Sequence, residues 1–554
     1  MTHPAADCDV LVVGAGPVGL TAAHELARHG MTVRLIDAAE GPAPTSRALG
    51  VHARTLETYD QMGVLDAMLE RARRVRHLTL HQNGSRLIRF ESDYSRLPTC
   101  HPYSLMIDQT WTERVLREAA AGRGVGVEWG TRLVDFADDG EGVTAQLTHA
   151  NGGTETFRAC WLLGADGGHS TVRGRLGLRL HGEQTETWLV ADAVVRCDVP
   201  TDSIHWMRTR EGAVMMVPFS EDGRWRLVDT RDTDVQPGEQ GRAALAARFA
   251  RKIEAGYGAP VTVETPTWVS VFTIQQRMVP AMSRGRCFVA GDAAHVHSPA
   301  SGQGLNTGIQ EACNLAWKLA DVQHGRATAR LLESYDAERV PVGAALLRST
   351  RLTTKLVQAR GPVTAVGLRA LFTWVRTVRP LKSRIQRKIM GGTSALGLSY
   401  AAGPLAAASD PLLAVAVGER VARVTADERA AAAGWRSLLA ELREPGWTLL
   451  VFAGPGDGSV LRRLAREHEG VVRVRTVVAA APGEDGDLPG ALADPDGLLA
   501  RGLGARPGAW LLIRPDGYLA ASGRLESADP AAAAESLGLR LRPRDPVQAG
   551  SIQA

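Results

Sequence analysis

Three glycines near the amino terminus stand at the spacing of a phosphate-binding turn. Gly14, Gly16 and Gly19 follow a short run of apolar, branched residues, and a helical pattern begins directly after them. In a strand–turn–helix unit the first glycine permits a tight turn, the second lets a pyrophosphate approach the backbone, and the third lets helix and strand pack closely. Phosphates would then lie at the helix N-terminus, where unpaired N–H groups and the helix dipole favour negative charge. The spacing therefore predicts a dinucleotide-binding turn.

An acidic residue stands where such a unit needs one. A second branched strand is predicted over 32–36 and ends at Asp37, 23 residues after Gly14. A carboxylate at this place can accept hydrogen bonds from ribose hydroxyls. Strand, helix, second strand and acid occur together, and this context distinguishes the pattern from an ordinary glycine turn.

Two further aspartates follow predicted strands and stand beside glycines. Asp166 belongs to the segment 164–173 (GADGGHSTVR), and Asp292 belongs to the segment 291–299 (GDAAHVHSP). Each carboxylate can accept hydrogen bonds from a ribose or ribityl hydroxyl. The glycine-rich segment 301–306 opens the next predicted helix, where backbone N–H groups can approach a planar ring or a phosphate.

The elements that must position these motifs predict a mixed α/β protein with several domains. A chain of 554 residues is too long for one ordinary domain. A β-rich region is predicted over 182–272, and beyond a Gly-, Ala-, Ser- and Pro-rich stretch at 391–410 the pattern restarts as a small α/β unit. Aromatic and methionine side chains of the β-rich region either line a pocket for a flat apolar ligand or form the core of a sheet layer. They are Trp188, Trp206, Met207, Met215, Met216, Phe219, Trp225, Trp268 and Phe272.

Composition argues against several classes of protein. The net charge of +4 is small and the basic residues are scattered, so nothing indicates nucleic-acid binding. The six cysteines are far apart without a C-x-x-C pair, which favours reduced thiols in a cytosolic protein. No apolar run has membrane-spanning length, and the amino-terminal apolar stretch follows an acid and contains glycines, unlike a signal peptide. A cytoplasmic protein is expected.

Competing chemistries have weaker support. His295 and His297, with Asp292 nearby, could suggest a metal, but no third ligand set accompanies them and no metal is predicted. Ser170 lacks a G-x-S-x-G elbow, so a hydrolase is unsupported. No histidine or tyrosine is identifiable as a substrate base.

The three motifs, in this order and at these distances, resemble those of the group A flavoprotein monooxygenases. This is the para-hydroxybenzoate hydroxylase-like family of FAD-dependent aromatic hydroxylases. The segments 47–57 (RALGVHARTLE) and 291–308 are most similar to its phenol and polyketide hydroxylase branch, which also carries a thioredoxin-like C-terminal domain. The resemblance extends over about the whole chain and is weak in the β-rich region.

The resemblance implies a Rossmann-like FAD-binding domain with an inserted β-sheet substrate domain and a C-terminal thioredoxin-like α/β domain. The expected boundaries are 1–74, 105–180 and 273–395 for the FAD-binding domain, 75–104 and 181–272 for the substrate domain, 396–410 for a linker and 411–554 for the thioredoxin-like domain. No cysteine occurs after Cys313, which excludes disulfide chemistry in the last domain. The expected role of this domain is therefore structural support or dimerisation, and a homodimer is one expected oligomeric state.

Family roles transfer only to matching positions. Gly14, Gly16 and Gly19 would hold the FAD pyrophosphate, and Asp37 would hold the adenosine ribose, where the family usually has Glu. Asp166 belongs to the motif associated with both FAD and NAD(P)H.

Further positions would surround the flavin itself. Arg47 would lie near it, Gln109 matches a glutamine that contacts FAD, Asp292 would meet the ribityl chain, and Pro299 would sit near the reactive edge. The remaining residues would line the isoalloxazine ring: Gly302, Gly304, Leu305 and Asn306.

The implied chemistry is reduction of FAD by NADPH or NADH, followed by reaction with O2 to a flavin C4a-hydroperoxide. This species transfers one oxygen to an activated phenolic or polycyclic polyketide-type ring, while the protein orients the cofactor and excludes water. No second G-x-G-x-x-G is visible, which fits transient binding of NAD(P)H. Two alternatives stay open: a Baeyer–Villiger-type oxygen insertion into a ketone, and a flavin-binding reductase or other member without oxygenase activity.

Overall fold

The structure is a computed structural model, and it describes residues 6–45, 48–91, 97–297, 302–358, 367, 372, 374–375, 392, 394–479 and 488–541. The described chain forms an eight-stranded, a nine-stranded, a five-stranded and a three-stranded sheet. Helices pack between and around these sheets, so the predicted mixed α/β class is confirmed. Among the described residues, none of the helices combines the length and the apolar character needed to cross a membrane.

The eight-stranded sheet, here the first sheet, carries the amino-terminal motif. Its five central strands are parallel and lie in the order Cys287–Val289, Thr154–Gly164, Cys8–Val13, Val33–Ile36 and Val127–Glu128. Antiparallel strands extend it: Ser283–Arg284, Val143–His149 and Thr131–Asp138. Residues 10–13 are buried, as expected for a parallel strand covered on both faces. The three motifs all begin where central strands end, at one edge of this sheet.

Helices cover both the edge and the faces of the first sheet. The Pro17 helix (Pro17–Arg28) packs against the Gly304 helix (Gly304–Gln323), and the Arg330 helix (Arg330–Gln358) packs on the latter. The other helices near this sheet are Ala53–Met62, Leu65–Leu69, Gln109–Ala121 and Thr171–Arg175. The three-stranded sheet joins Gly50–Val51, Ser104–Met106 and Arg73–Val75.

The nine-stranded sheet, here the second sheet, is mostly antiparallel. Its strands lie in the order His295–Val296, Trp268–Met278, His181–Arg196, Arg224–Asp229, Gly212–Pro218, Ser203–Thr209, His77–Gln82 and Ser85–Glu91, with Thr262–Val263 pairing His181–Arg196. The helix Gly238–Tyr257 covers one face, here called the outer face. The opposite, inner face meets Leu49, Val75 and Met106, which precede or belong to the three-stranded sheet.

The two faces sort the aromatic and methionine residues noted in the sequence. Because side chains alternate along a strand, neighbours in sequence lie in different cores. The inner face carries Trp188, Trp206, Met215, Phe219, Trp268 and Phe272. The outer face carries Met207, Met216 and Trp225, which pack with the covering helix. A pocket lining therefore remains possible only for the inner set.

The five-stranded sheet, here the third sheet, belongs to the C-terminal unit (residues 394–541). Its order is Ala491–Ala493, Val472–Val478, Trp447–Phe452, Ala509–Ile513 and Leu519–Arg524, with the first three parallel and the last two antiparallel. The helices of the unit are Ala426–Ala431, Ala433–Glu441, Gly458–Glu467, Leu498–Leu503 and Pro530–Ser536. Within the segment 396–410, Tyr400 and Leu405 are buried.

Candidate functional site

The first glycine turn is fixed by close backbone packing. Gly14 has a left-handed backbone with φ of 104°, and a Cβ atom there would lie 2.4 Å from the carbonyl oxygen of Ala165. A Cβ atom on Gly19 would lie 1.8 Å from the Gly14 carbonyl oxygen. Any larger residue at either position would displace the backbone. The first motif is therefore built directly against Ala165 of the second motif.

Gly16 is glycine for a different reason. No atom lies within 4 Å of the Cβ that a side chain would add there, and its φ of −71° suits any residue. Gly16 precedes the Pro17 helix and supplies no side-chain cap. The N–H groups in the first turn of this helix are therefore available to an anion. The open space above Gly16 is where a pyrophosphate would approach the backbone, and the cradle fits FAD.

Asp37 is held against the same turn. Its Oδ2 accepts a hydrogen bond from the Ala15 N–H at 2.7 Å, and its Oδ1 accepts one from the Ala39 N–H at 2.8 Å. The carboxylate therefore braces the glycine turn, and further lone pairs remain for ribose hydroxyls. Its predicted contact with the adenosine ribose stays a prediction.

Asp166 has one committed and one unsatisfied oxygen. Its Oδ2 accepts hydrogen bonds from the N–H groups of Thr171 (2.7 Å) and Val172 (3.1 Å), which fixes the turn before a short helix. Its Oδ1 is buried without a partner. A buried carboxylate oxygen without a donor is unfavourable, so this atom fits a hydroxyl group supplied by a ligand. It is the second feature that suits a bound nucleotide.

The third motif joins the other two at the edge of the first sheet. Gly291 has φ of 61°, and a Cβ there would lie 2.9 Å from Val18 in the Pro17 helix. The Arg173 guanidinium donates to the carbonyl oxygen of Ala293 at 3.1 Å, which ties the second motif to the third. Asp292 is exposed at this turn, where it is accessible to a ligand. The structure thus brings all three predicted motifs together.

A buried acid, Glu311, forms a hydrogen bond with the backbone of the Gly291 turn. Glu311, on the Gly304 helix, accepts from the Gly291 N–H at 2.9 Å and lies 2.8 Å from His295 Nε2. Burial alone would disfavour the His295 imidazolium, but the Glu311 carboxylate outweighs it and raises the pKa of His295. Burial likewise opposes ionisation of Glu311, and His295 together with Arg339 overcomes it and lowers the pKa of Glu311. The two form an internal ion pair.

His297 behaves in the opposite way. Burial, reinforced by the neighbouring His295 charge, lowers the pKa of His297 to about 4, so this imidazole is neutral near pH 7. A Cβ on Gly304 would lie 2.3 Å from the His297 ring, so only glycine fits at this position of the segment 302–306, here called the glycine loop.

The segment 48–52 lies between the glycine loop and the inner face of the second sheet. Gln109 Oε1 accepts from the Ala48 N–H at 2.7 Å. Asn306 Oδ1 accepts from the His52 N–H at 2.8 Å, and its Nδ2 donates to the carbonyl oxygens of Gly50 (3.0 Å) and Gly302 (2.7 Å). Gln109 and Asn306 therefore act here as braces of the backbone, and their predicted contacts with FAD stay predictions.

The structure describes some of the remaining predicted cofactor contacts and not others. Arg47 and Pro299 lie outside the described residues. Gly302 adopts φ of 60°, close to His52, and Leu305 is half-buried against the core of the first sheet. Gly302 lies in the loop before the Gly304 helix and Leu305 in the first turn of that helix, and their predicted contacts with the isoalloxazine ring stay predictions.

The inner face also holds a buried ion pair. Arg226 donates to both oxygens of Asp192, with each distance 2.8 Å, and its guanidinium lies over the rings of Phe219 and Trp268. The face combines flat apolar surface with this buried charge pair, a lining suited to an aromatic ligand.

Sequence reasoning missed Glu311 and Arg339. Both are fully buried, and Arg339 lies 3.7 Å from Glu311. The available signal was an acid and an arginine at positions of helices that otherwise face the core, where charged residues require partners.

The chain matches the protein family described as "FAD binding domain" over residues 7–350. It is 51% identical to the 6-methylpretetramide 4-monooxygenase of Streptomyces rimosus over 541 residues, which cover 97% of this chain and 94% of that protein.

Solved structures of flavin-dependent hydroxylases have a similar fold. The anhydrotetracycline hydroxylase from Streptomyces rimosus superposes with a TM-score of 0.71 at 28% identity, covering 96% of this chain and 98% of that one. A flavin-dependent monooxygenase solved with FAD and substrate has a TM-score of 0.76 at 23% identity over 96% of this chain and 100% of its own, a likeness of fold.

Proposed function

Since the chain belongs to the FAD-binding-domain family of flavoprotein monooxygenases, we propose that it hydroxylates a fused-ring aromatic polyketide of the 6-methylpretetramide type. It is an FAD-dependent aromatic hydroxylase that uses NAD(P)H and O2. The proposal on substrate rests on one observation above all, the 51% identity to the 6-methylpretetramide 4-monooxygenase over almost the full length of both chains.

We assign the FAD to the edge of the first sheet. Gly14, Gly16 and Gly19 would hold the pyrophosphate, Asp37 the adenosine ribose, and Asp166 a hydroxyl through its unpartnered Oδ1. Further predicted contacts are Arg47, Gln109, Asp292, Pro299, Gly302, Gly304, Leu305 and Asn306. When bound, FAD supplies the reduction by NAD(P)H and the activation of O2 for transfer of one oxygen atom.

The chain's own residues provide binding and exclusion of water. The aromatic residues of the inner face would hold the fused rings opposite the segment 48–52. This segment is braced by Gln109 and Asn306, so it presents a fixed wall between substrate and glycine loop. An apolar wall keeps water from the reacting centre, which protects the oxygen-transfer step.

The test is a turnover experiment with the FAD-loaded protein. Incubation with 6-methylpretetramide, NADPH or NADH and ¹⁸O2 should yield a product that carries one ¹⁸O atom, one NAD(P)H being oxidised per product. A ketone analogue of similar size, which a Baeyer–Villiger reaction would convert to an ester, should remain unchanged. NAD(P)H oxidation without oxygenated product from polyketides or simple phenols would instead assign a reductase.

The organisation of the chain completes the proposal. We infer a discontinuous FAD-binding domain, an inserted substrate domain and a thioredoxin-like C-terminal domain with the boundaries given above. The strand order of the third sheet supports the thioredoxin-like assignment.

We also propose a cytoplasmic homodimer. The six free cysteines support the reducing compartment, and light scattering of the purified protein tests the dimer.

A further inference from the structure

One of the contacts between the C-terminal unit and the first-sheet helices is a hairpin turn, which carries Arg514 and Asp516. Arg514 donates to both oxygens of Glu338 in the Arg330 helix, at 2.6 and 3.0 Å, and also to Asp516. Lys318 of the Gly304 helix donates to Glu338 as well, at 2.9 Å. Arg514, Glu338 and Lys318 are almost completely buried. The turn is therefore locked to both helices by charges that cannot separate without large desolvation penalties.

Tyr400 extends this contact toward the glycine motifs. Its ring lies 4.7 Å from the ring of Tyr518, and the Arg514 guanidinium lies 4.8 Å over it. Its hydroxyl accepts a hydrogen bond from Arg339 Nη1 at 2.8 Å. Arg339 is fully buried, so this hydroxyl provides one of the few partners that its charge has.

Arg339 in turn connects to the third motif. Its Nη2 donates to the carbonyl oxygen of Thr307 at 3.2 Å and lies 3.7 Å from Glu311 Oε1. Glu311 accepts from the Gly291 N–H, as described above. A continuous chain of buried polar contacts thus runs from the C-terminal unit to the Gly291 turn.

A second connection reaches the segment 48–52. Arg54, at the beginning of the helix Ala53–Met62, donates to the Tyr518 hydroxyl at 3.3 Å and to the Asp516 carbonyl oxygen at 2.9 Å. Glu57 of the same helix pairs with Arg420 of the C-terminal unit at 2.6 Å. This helix starts directly after His52, which Asn306 holds.

We propose that the C-terminal unit positions the FAD-binding turns, with Tyr400 and Arg339 as positioning residues that hold Glu311 against the Gly291 backbone. The unit has no cysteines, and its buried partners include Glu338, Arg339 and Arg54, which are side chains of helices next to the predicted flavin contacts. Loss of the Tyr400 hydroxyl leaves the Arg339 guanidinium short of a partner, so Arg339 moves toward Glu311 and competes with the Gly291 N–H for its carboxylate. The inference rests on the proposed placement of FAD at the Gly291 turn.

The test compares Tyr400→Phe with Tyr257→Phe, each of which removes one tyrosine hydroxyl. Tyr257, the last residue of the helix that covers the second sheet, donates to the Asp198 carbonyl oxygen and serves as the matched control. The FAD dissociation constant is measured by quenching of flavin fluorescence on titration with apoprotein, and the bound flavin is monitored by visible circular dichroism. We expect about tenfold weaker FAD binding and an altered visible spectrum for Tyr400→Phe, and neither change for Tyr257→Phe.

A double-mutant cycle with Glu311→Gln identifies the path. If Tyr400 acts through Glu311, the double variant binds FAD about as well as the weaker single variant; multiplication of the two effects would refute the path. Wild-type affinity and spectrum in Tyr400→Phe would refute the proposal even if Glu311→Gln does not fold. Gly16→Val tests the placement of FAD separately. If Gly16→Val binds FAD as tightly as the wild type, the placement of FAD is refuted. If Gly16→Val loses FAD binding while Tyr400→Phe binds FAD like the wild type, only the positioning role is refuted.

Discussion

The edge of the first sheet and the inner face of the second sheet are built from different parts of the chain. At the edge, the backbone forms the site: glycines with positive φ, exposed helix N–H groups and carboxylates that brace turns. On the inner face, side chains form it: Trp188, Trp206 and Phe272, with the buried Arg226–Asp192 pair. A backbone site constrains residue type at fixed spacing, whereas a side-chain surface accepts many apolar residues. Mutations should therefore act differently on the two.

The largest effect is expected on the inner face, from loss of a buried charge partner. Arg226→Met leaves the Asp192 carboxylate buried and unpaired, since Asp192 is only 2% exposed. We expect the free energy of unfolding to fall by about 3–5 kcal/mol in urea denaturation. The double variant Arg226→Met/Asp192→Leu should recover most of that loss, because it removes both charges. No recovery would show that packing rather than the charge pair holds this face.

At the edge of the first sheet, Gly16→Val should affect the cofactor and spare the fold. The added Cβ has no protein atom within 4 Å, and the side chain would occupy the space where the pyrophosphate would lie. We expect FAD binding to weaken by about 100-fold or more, equivalent to about 2.7 kcal/mol, with the apoprotein melting temperature close to that of the wild type. Gly19→Val is the contrasting variant, since its Cβ would overlap the Gly14 carbonyl and lower the apoprotein stability itself. Equal effects of both variants on the apoprotein would contradict this division.

A smaller effect should follow from trimming the inner face at one position. Phe272→Ala removes a half-buried ring on the face assigned to substrate, while Val271, the preceding residue on the strand, points to the other face and is 46% exposed. We expect the KM for the aromatic substrate to rise about tenfold in Phe272→Ala, with FAD affinity unchanged. Val271→Ala should leave both constants near wild type. A fall in kcat at constant KM would place Phe272 outside the ground-state contacts.

The same contrast explains what the sequence could predict. The three Gly/Asp motifs follow strands of a parallel sheet, and carboxyl ends of parallel strands share an edge, so their meeting at Gly14, Ala165 and Gly291 was predictable. Strand Trp447–Phe452 was likewise predictable from an uninterrupted apolar run. These features depend on local pattern and on rules of connection.

The remaining features depend on tertiary partners. Whether Trp206 or Met207 faces the inner side depends on strand register, and both are large and apolar, so composition cannot distinguish them. Glu311 and Arg339 lie on different helices, and their partner Tyr400 belongs to a segment predicted as a linker. Nothing local indicates that such residues meet, because their contacts are long-range.

The smallest predicted effect is a pH dependence that originates beneath the backbone-built edge. The folded pKa of His295 is raised, so its pairing with Glu311 is fully stabilising below the unfolded pKa of about 6.5 and is lost as pH rises through the folded pKa. We expect the stability difference between wild type and His295→Gln, measured by urea unfolding, to shrink between pH 6.5 and pH 9. His297→Gln is the matched control: its pKa is lowered to about 4, so its contribution changes below pH 6.5 and is constant above. If the stability difference between wild type and His295→Gln is constant up to pH 9, His295 is neutral in the folded protein. The Gly291 turn would then be stabilised only by the hydrogen bond from the Gly291 N–H to Glu311 and by Arg339 next to that carboxylate.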